Sequence, residues 1–433
     1  MTTTSTSSPL IRAAAHEAAA DRSSLTRKLV FKVLRALKLG GVRVVEHGEV
    51  MDFGARSQGL PFPTIYVRDS RFYRAVAFGG SVGAGESYME GWWECDDLAG
   101  LIRTFVINQS ALDSVDSGFA RIAAPAYWIA RLLSRNTIAG SKRNIAAHYD
   151  LSNEFFALWL DPSMMYSSAI YERPEMTLEQ AQNFRLNLIG RKLALKPEDH
   201  LLEIGTGWGS MAITAARDFG CRVTTTTISA RQAEYARAAV AKAGLGDRVH
   251  VIERDYRDLP RVYGERSFTK LVSLEMIEAV GADHLDEYAS VCAKMLVPHG
   301  RALIQAILIA DRRYRDALRT PDFIQKHIFP GSFIPSLEAI GCATAKTDLT
   351  LSHAAEFGTH YARTLREWRE RFNAQSDRVR GLGFDDRFMR MWNFYLAYCE
   401  GAFAERHISV AHLVYRKPMD RTSESGFEAV RTA

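Results

Sequence analysis

The spacing of apolar positions changes along the chain. From about residue 200 onward, short apolar runs alternate with longer stretches that have helical spacing. The runs predict strands at residues 201–204, 222–227, 249–253, 270–274, 302–309, 343–348 and 410–416. This alternation is typical of an α/β fold with a doubly wound parallel sheet, in which ligands bind at the carboxyl ends of the strands. Residues 354–406 predict a helical insertion before the last strand.

The first hundred residues follow a different pattern. Residues 25–39 have apolar positions at helical spacing with basic residues between them, as in amphipathic helices that lie on a membrane surface. The alternative is that the apolar face packs on the domain behind it. Residues 64–68 and 71–78 predict strands, and residues 98–108 predict a helix. We therefore expect a smaller α+β domain before the α/β domain.

The length of 433 residues allows two domains. The predicted order is a flexible tail at 1–24, an N-terminal domain at 25–110, a linker at 111–142, a larger domain at 143–418 and a flexible tail at 419–433.

Charge and cysteine usage narrow the class of function. A net charge of +5 is too small to indicate nucleic-acid binding on its own. The five cysteines are odd in number and scattered, which favours a reducing, cytoplasmic compartment and argues against disulfides or a zinc site. We expect no metal site. No run of about 18 apolar residues occurs, so we expect no membrane-spanning helix.

A glycine-rich loop follows the first strand of the larger domain. Residues 202–209 read Leu-Glu-Ile-Gly-Thr-Gly-Trp-Gly. Because Gly205, Gly207 and Gly209 lack a Cβ, a ligand can approach the bare backbone, and the next helix offers free N–H groups to an anionic group. An ordinary tight turn is the alternative.

The strands after this loop argue against a nicotinamide cofactor. Dinucleotide sites place an acid at the tip of the second strand, whereas residues 223–229 end in hydroxyls. An acid comes one strand later, where Asp255 precedes Tyr256. That pairing suits an adenine ring, and a solvated turn is the alternative.

Several motifs, in order, resemble those of cyclopropane-fatty-acyl-phospholipid synthases, which are S-adenosylmethionine-dependent methyltransferases. They lie at residues 148–156, 165–169, 202–209, 227–232, 255–259, 275–281 and 328–331. The resemblance runs from about residue 42 to 418, and residues 83–91 are similar to the family's lipid-contacting N-terminal domain. It implies a class I methyltransferase-like fold for residues 143–418, with S-adenosyl-L-methionine as the methyl donor.

The resemblance also implies which residues contact the methyl donor. These cofactor-binding residues are Tyr166, Ser167, Gly205, Gly207, Gly209, Thr227, Ser229, Gln232, Asp255 and Tyr256.

The family's reaction implies a base. A cis double bond attacks the sulfonium methyl group, and the resulting carbocation loses a proton as a three-membered ring closes. In the family, the base is thought to be a bound bicarbonate held by a Glu, a His, a Tyr and a Cys. Glu278, Tyr361 and Cys399 match three of these positions. We expect Cys399→Ser to reduce turnover strongly and to leave cofactor affinity little changed.

One position departs from the family's pattern. Gln305 stands where these synthases usually have the His. Glutamine donates a hydrogen bond to an anion but cannot relay a proton as imidazole does. The departure leaves three alternatives open: a cyclopropane product, a methyl- or methylene-branched product, or a catalytically silent lipid-binding protein.

The resemblance implies substrates and partners as well. We expect a cytoplasmic enzyme, peripheral at the inner membrane surface, that acts on unsaturated acyl chains of membrane phospholipids. A homodimer is expected from the family, and nucleic acid is not an expected partner.

Overall fold

The computed structural model describes residues 25–110 and 151–421. The predicted tail at 1–24, the linker at 111–142, the first residues of the 148–156 motif and the end of the C-terminal tail lie outside the described residues. The chain divides into two compact units, residues 1–125 with 385–394, and residues 126–384 with 395–433.

The first unit contains a four-stranded sheet of order β2-β1-β3-β4. Its strands are β1 (Gly41–Glu46), β2 (Glu49–Gly54), β3 (Thr64–Val67) and β4 (Trp93–Cys95). Its helices are α1 (Leu25–Arg35), α2 (Arg71–Met89) and α3 (Leu98–Ile107). The predicted helices at 25–39 and 98–108 are confirmed, the first of them ending at Arg35. The ring of Phe31 on α1 lies 4.9 Å from that of Phe53, so the apolar face of this helix packs inward.

The predicted strand at 71–78 is wrong, because these residues begin α2. The helix kinks at Gly80, which has a φ of 53°. A Cβ on Gly83 would lie 2.0 Å from the backbone oxygen of Ala75, so the two halves of α2 approach closely at a glycine. The aromatic pair Phe72 and Tyr73 raises the local β-propensity, but both side chains are buried in the helical conformation.

The second unit contains a seven-stranded sheet of order β10-β11-β9-β8-β5-β6-β7. Its strands are β5 (His200–Ile204), β6 (Arg222–Thr227), β7 (Val249–Glu253), β8 (Phe268–Leu274), β9 (Leu296–Ile309), β10 (Thr350–Glu356) and β11 (Ile408–Arg416). Strands β9, β8, β5, β6 and β7 run parallel, as predicted. Strand β11 pairs antiparallel with β9, and β10 with β11. The α/β fold class is confirmed.

Helices cover both faces of this sheet and fill the predicted insertion. They are α4 (Asn153–Ala157), α5 (Leu178–Leu193), α6 (Ser210–Asp218), α7 (Ala230–Lys242), α8 (Leu259–Tyr263), α9 (Leu285–Met295), α10 (Asp311–Arg319), α11 (Phe323–His327), α12 (Leu337–Thr344), α13 (Gly358–Ala374) and α14 (Ser376–Gly381). The last helix is α15 (Asp386–Ala404), of which residues 386–394 belong to the first unit and the rest to the second. No helix among the described residues has the length and apolarity needed to cross a membrane.

The predicted strand at 343–348 is wrong. Ala343 and Thr344 are buried at the end of α12, where they face the core. The true edge strand β10 begins six residues later, at Thr350. Its residues are mostly exposed or half-buried, including Leu351, so it lacks the apolar run that marks the inner strands.

Candidate active site

The glycine loop lies at the carboxyl end of β5. The N–H groups of Gly205 and Thr206 donate to the Thr226 carbonyl at 3.0 and 3.1 Å, which ties the loop to β6. The three glycines have φ values of 101°, 52° and 97°, so all need the left-handed region that glycine tolerates. A Cβ at Gly205 or Gly209 would lie 3.2 Å from a neighbouring side chain. A Cβ at Gly207 would have no described atom within 4 Å, so this backbone faces open space.

The hydroxyl residues after β6 bond to one another. The Thr227 hydroxyl donates to the Gln232 Oε1 at 2.9 Å, and the Ser229 Oγ accepts from the Gln232 backbone N–H and caps α7. The three residues therefore meet at the strand end, as the sequence predicts, and part of their hydrogen-bonding capacity holds the turn itself.

The acid after β7 is held by a basic neighbour. The Arg257 guanidinium donates to the Asp255 carboxylate at 2.6 Å, and Asp255 is 6% exposed. The Tyr256 ring packs edge-on against Tyr288 with centroids 5.5 Å apart. Both predicted residues lie at the same sheet edge as the glycine loop because their strands are parallel.

An aromatic cluster surrounds Tyr166. Its hydroxyl forms a 2.7 Å hydrogen bond with the Tyr395 hydroxyl, and its ring lies 5.4 Å from those of Trp159 and Trp368. The next residue, Ser167, is buried, and its hydroxyl has no hydrogen-bond partner among the described residues. A buried hydroxyl without a hydrogen-bond partner among the described residues, beside an aromatic cluster, suits contact with a polar ligand.

The carboxylate of Glu275 lies at the centre of a hydrogen-bond network. Glu275 directly follows β8 and has a φ of 51°. Its Oε1 accepts from the Ser168 backbone N–H at 2.9 Å and from the Gln305 amide at 2.6 Å. Its Oε2 accepts from the Tyr361 hydroxyl at 2.6 Å. Burial raises the pKa of Glu275, and these three donors oppose that shift.

A second layer of buried polar groups orients Gln305. The Gln305 Oε1 accepts from Arg185 at 2.9 Å and from His412 at 3.0 Å, which directs the amide nitrogen toward Glu275. Arg185 is fully buried and also donates to Gln182 at 2.9 Å. Burial lowers the pKa of His412, so its ring is neutral, with Lys192 at 3.2 Å from Nδ1.

Glu278 and Cys399 lie outside the direct contacts of Glu275. The Glu278 Oε1 accepts from the Ile307 N–H at 2.6 Å, and burial together with the charge of Glu275 raises the pKa of Glu278 to about 8. Cys399 lies on α15, one turn after Tyr395, and burial raises the pKa of its thiol, which keeps the thiol neutral. The catalytic role of Cys399 stays a prediction.

Three residues of this network were not predicted from the sequence as members of the site. Glu275 carries a signal that was available, because it is an acid placed immediately after a parallel strand. Arg185 and His412 carry no such signal, since Arg185 lies on α5 and His412 lies on β11, the last strand of the chain, and neither lies in one of the motifs.

Glu203, just before the glycine loop, makes a testable contribution to stability. It is 2% exposed, its Oε2 has no hydrogen-bond partner among the described residues, and burial raises its pKa to about 8. The folded protein therefore keeps a proton that the unfolded chain releases above its ordinary pKa of 4.5. The free energy of unfolding is therefore highest at low pH, where Glu203 is protonated in both states. It falls as the pH rises from about 4.5 toward 8, because over that range only the unfolded chain gives up the proton.

Glutamine does not ionise, so we expect the free energy of unfolding of Glu203→Gln not to fall with pH in this way. Urea unfolding without ligand should show the variant gaining about 3 kcal/mol over the wild type between pH 5 and pH 8. A difference between the two proteins that does not change with pH would contradict this assignment.

Known proteins similar to this chain include lipid methyltransferases and cyclopropane synthases. Residues 137–413 match the sequence profile described as mycolic acid cyclopropane synthetase. A tuberculostearic acid methyltransferase of Mycobacterium tuberculosis is 37% identical over 360 residues, which covers 80% of this chain and 82% of the relative. A cyclopropane-fatty-acyl-phospholipid synthase of Escherichia coli is 34% identical over 371 residues, which covers 85% and 90%.

A solved structure resembles about two thirds of this chain. The mycolic acid cyclopropane synthase CmaA1, complexed with SAH and CTAB, is 27% identical, with a TM-score of 0.59. The likeness covers 64% of this chain and 98% of that one.

Proposed function

This chain belongs to the mycolic acid cyclopropane synthetase family and is an S-adenosylmethionine-dependent methyltransferase, and on that premise we propose its substrate and product. We propose that it methylates the cis double bond of unsaturated acyl chains in phospholipids and yields cyclopropane fatty acids. The observation that carries the proposal is the carboxylate network at Glu275, which lies beside an aromatic cluster at the carboxyl edge of the sheet.

The residues present fit the methyl donor. The bare backbone at Gly207 and the orphan hydroxyl of Ser167 both suit a polar ligand, and a relative's structure holds SAH. The proposed contacts also include Tyr166, Asp255 and Tyr256. When bound, S-adenosylmethionine supplies an electrophilic methyl group on a sulfonium centre.

The aromatic cluster suits a reaction that passes through a cation. Methylation of a double bond leaves positive charge on the neighbouring carbon, and aromatic faces attract cations through their quadrupoles. Trp368 links the two predicted tyrosines, because its ring lies 5.4 Å from Tyr166 and 6.0 Å from Tyr361. Tyr361 also packs on Phe403 at 4.4 Å. These apolar faces would exclude water from the cation and so protect it from hydration.

A methyl- or methylene-branched product is the second candidate. Two observations favour it: one relative is named a tuberculostearic acid methyltransferase, and Gln305 replaces the His that the family usually has. Both candidates share the donor and the double bond, and in both the cation loses a proton from the transferred methyl group. A ring closes when that proton leaves directly, whereas a methylene branch forms when a 1,2-hydride shift comes first. A saturated methyl branch would need a separate reductant to reduce the methylene group.

Fatty-acid analysis of a host that lacks its own cyclopropane synthase tests the proposal. Expression of the chain should give acyl chains that are heavier by one methylene group and that show cyclopropane fragments. A branched-chain fragmentation pattern would replace the first candidate with the second. Unchanged fatty acids, despite folded protein, would contradict both.

A further inference from the structure

The donors expected to hold bicarbonate are already engaged by a side chain. The resemblance assigns the anion to Tyr361 and the residue at 305, among others. In the structure, the Tyr361 hydroxyl and the Gln305 amide both donate to the Glu275 carboxylate at 2.6 Å. The Ser168 N–H donates to the same group. These three donors come from three separate segments and converge on one carboxylate.

A bound bicarbonate does not fit this arrangement. It would need the same donors, and it would place a second negative charge against the Glu275 carboxylate. Two adjacent anions in a buried site repel each other, and one of them would have to be protonated.

We propose that Glu275 is the base of this enzyme and takes the place of bicarbonate. This inference rests on the proposed function. A Glu275 oxygen removes a proton from the transferred methyl group of the cation, and the electron pair of that C–H bond forms the carbon–carbon bond that closes the ring. The protonated carboxyl group then releases its proton to solvent before the next turnover.

Placement and chemistry support this role. Glu275 lies at the end of β8, next to β5 and its glycine loop, and a Cβ on Gly205 would touch the adjacent Met276 at 3.2 Å. Part of the surface of Glu275 remains accessible. A carboxylate with a raised pKa is also a stronger base than an exposed one.

The presence of Gln305, where the family usually has His, is explained by the same role of Glu275. A bound bicarbonate can exchange with solvent, whereas a side-chain carboxylate needs a donor of fixed direction. Arg185 and His412 both donate to the Gln305 oxygen, so the amide nitrogen must face Glu275. Gln305 and Arg185 act as positioning residues, and no proton relay through position 305 is needed.

The backbone conformation at Glu275 allows a glycine variant to be used as a test. A φ of 51° is unfavourable for any residue other than glycine. Glu275→Gly relieves that strain and leaves the three donors facing an open space that accepts a small anion. Glu275→Gln keeps the shape but cannot accept a proton, and Glu198→Gln, on the surface before β5, serves as the control.

The experiment compares these proteins in buffers freed of carbon dioxide, with and without added bicarbonate. The substrate is vesicles of dioleoyl phosphatidylglycerol and phosphatidylethanolamine, and the release of S-adenosylhomocysteine gives the rate. We expect bicarbonate to leave the wild type and Glu198→Gln unchanged. Glu275→Gln should lose about 100-fold or more and stay low. Glu275→Gly should lose as much and regain activity with bicarbonate or formate.

Thermal unfolding without methyl donor gives a second readout. Bicarbonate should raise the unfolding midpoint of Glu275→Gly and leave that of the wild type unchanged, because only the variant has an open anion site. Stimulation or stabilisation of the wild type by bicarbonate would overturn the inference, as would full activity of Glu275→Gln. If no vesicle supports release by the wild type, the proposed function fails instead.

Discussion

Replacing Tyr361 with Phe is expected to reduce turnover about 10- to 100-fold and to leave the affinity for S-adenosylmethionine nearly unchanged. The variant keeps the ring that packs on Phe403 and Trp368 but loses the hydroxyl that donates to Glu275 at 2.6 Å. The carboxylate then lacks one of the donors that fix its position.

The pH dependence of turnover by Tyr361→Phe should shift in a direction that the pKa of Glu275 predicts. Tyr361 lowers the pKa of Glu275 by stabilising its charged form, so removing the hydroxyl raises that pKa further. A base works as the carboxylate, which forms as the pH rises through the pKa. The rising limb of the turnover profile should therefore move to higher pH.

Tyr171→Phe is the matched control for Tyr361→Phe, because it also removes a buried phenol hydroxyl, but one outside the contacts of Glu275. It should keep the wild-type profile. Steady-state rates between pH 6 and pH 9 provide the measurement. Equal effects of the two variants, or a profile of Tyr361→Phe that stays in place, would contradict the role of the hydroxyl.

Replacing Gly207 with Ala is expected to weaken binding of S-adenosylmethionine about 10- to 100-fold, which corresponds to roughly 1.4–3 kcal/mol. The new Cβ would meet no described protein atom within 4 Å, so a clash can arise only with a ligand that approaches the loop. The φ of 52° adds a cost of about 1 kcal/mol to folding, which is separate from the binding effect.

The variant Gly244→Ala separates the cost to folding from the cost to binding. Gly244 has a φ of 69°, lies in an exposed turn after α7, and also has no described atom within 4 Å of an added Cβ. Isothermal titration should show wild-type affinity for Gly244→Ala and weakened affinity for Gly207→Ala, with similar losses of thermal stability. Unchanged affinity of Gly207→Ala would remove this loop from the cofactor site.

The sequence was informative where apolar patterning is strong. Strands β5, β8 and β9 are mostly apolar because both of their faces are buried, and β6 instead carries four buried threonines, which have high β-propensity. The predicted ends of these four strands match the observed ends, although β9 begins six residues before its predicted start. The pattern fails at β10, an edge strand with exposed residues, and at α2, where glycines allow a kinked helix despite aromatic residues. Local patterns do not record such tertiary contacts.

The candidate site was predictable only in part. The family resemblance implies that Tyr361 and Gln305 share one site, but only the fold shows that both donate to Glu275. The orientation of Gln305 depends on Arg185 from α5 and His412 from β11, which both donate to its side-chain oxygen. His412 reaches Gln305 because β11 pairs with β9 in the sheet. Pairings between such distant segments leave no local trace in the sequence.

The central claim is that this chain methylates cis double bonds of phospholipid acyl chains with its own carboxylate as base. The most direct test uses purified protein, S-adenosylmethionine and bicarbonate-free buffer, with vesicles of dioleoyl or of fully saturated phosphatidylglycerol. We predict steady release of S-adenosylhomocysteine, matched by acyl chains one methylene heavier, with the dioleoyl vesicles only. Absence of release with both vesicles, or equal release with both, would contradict the claim.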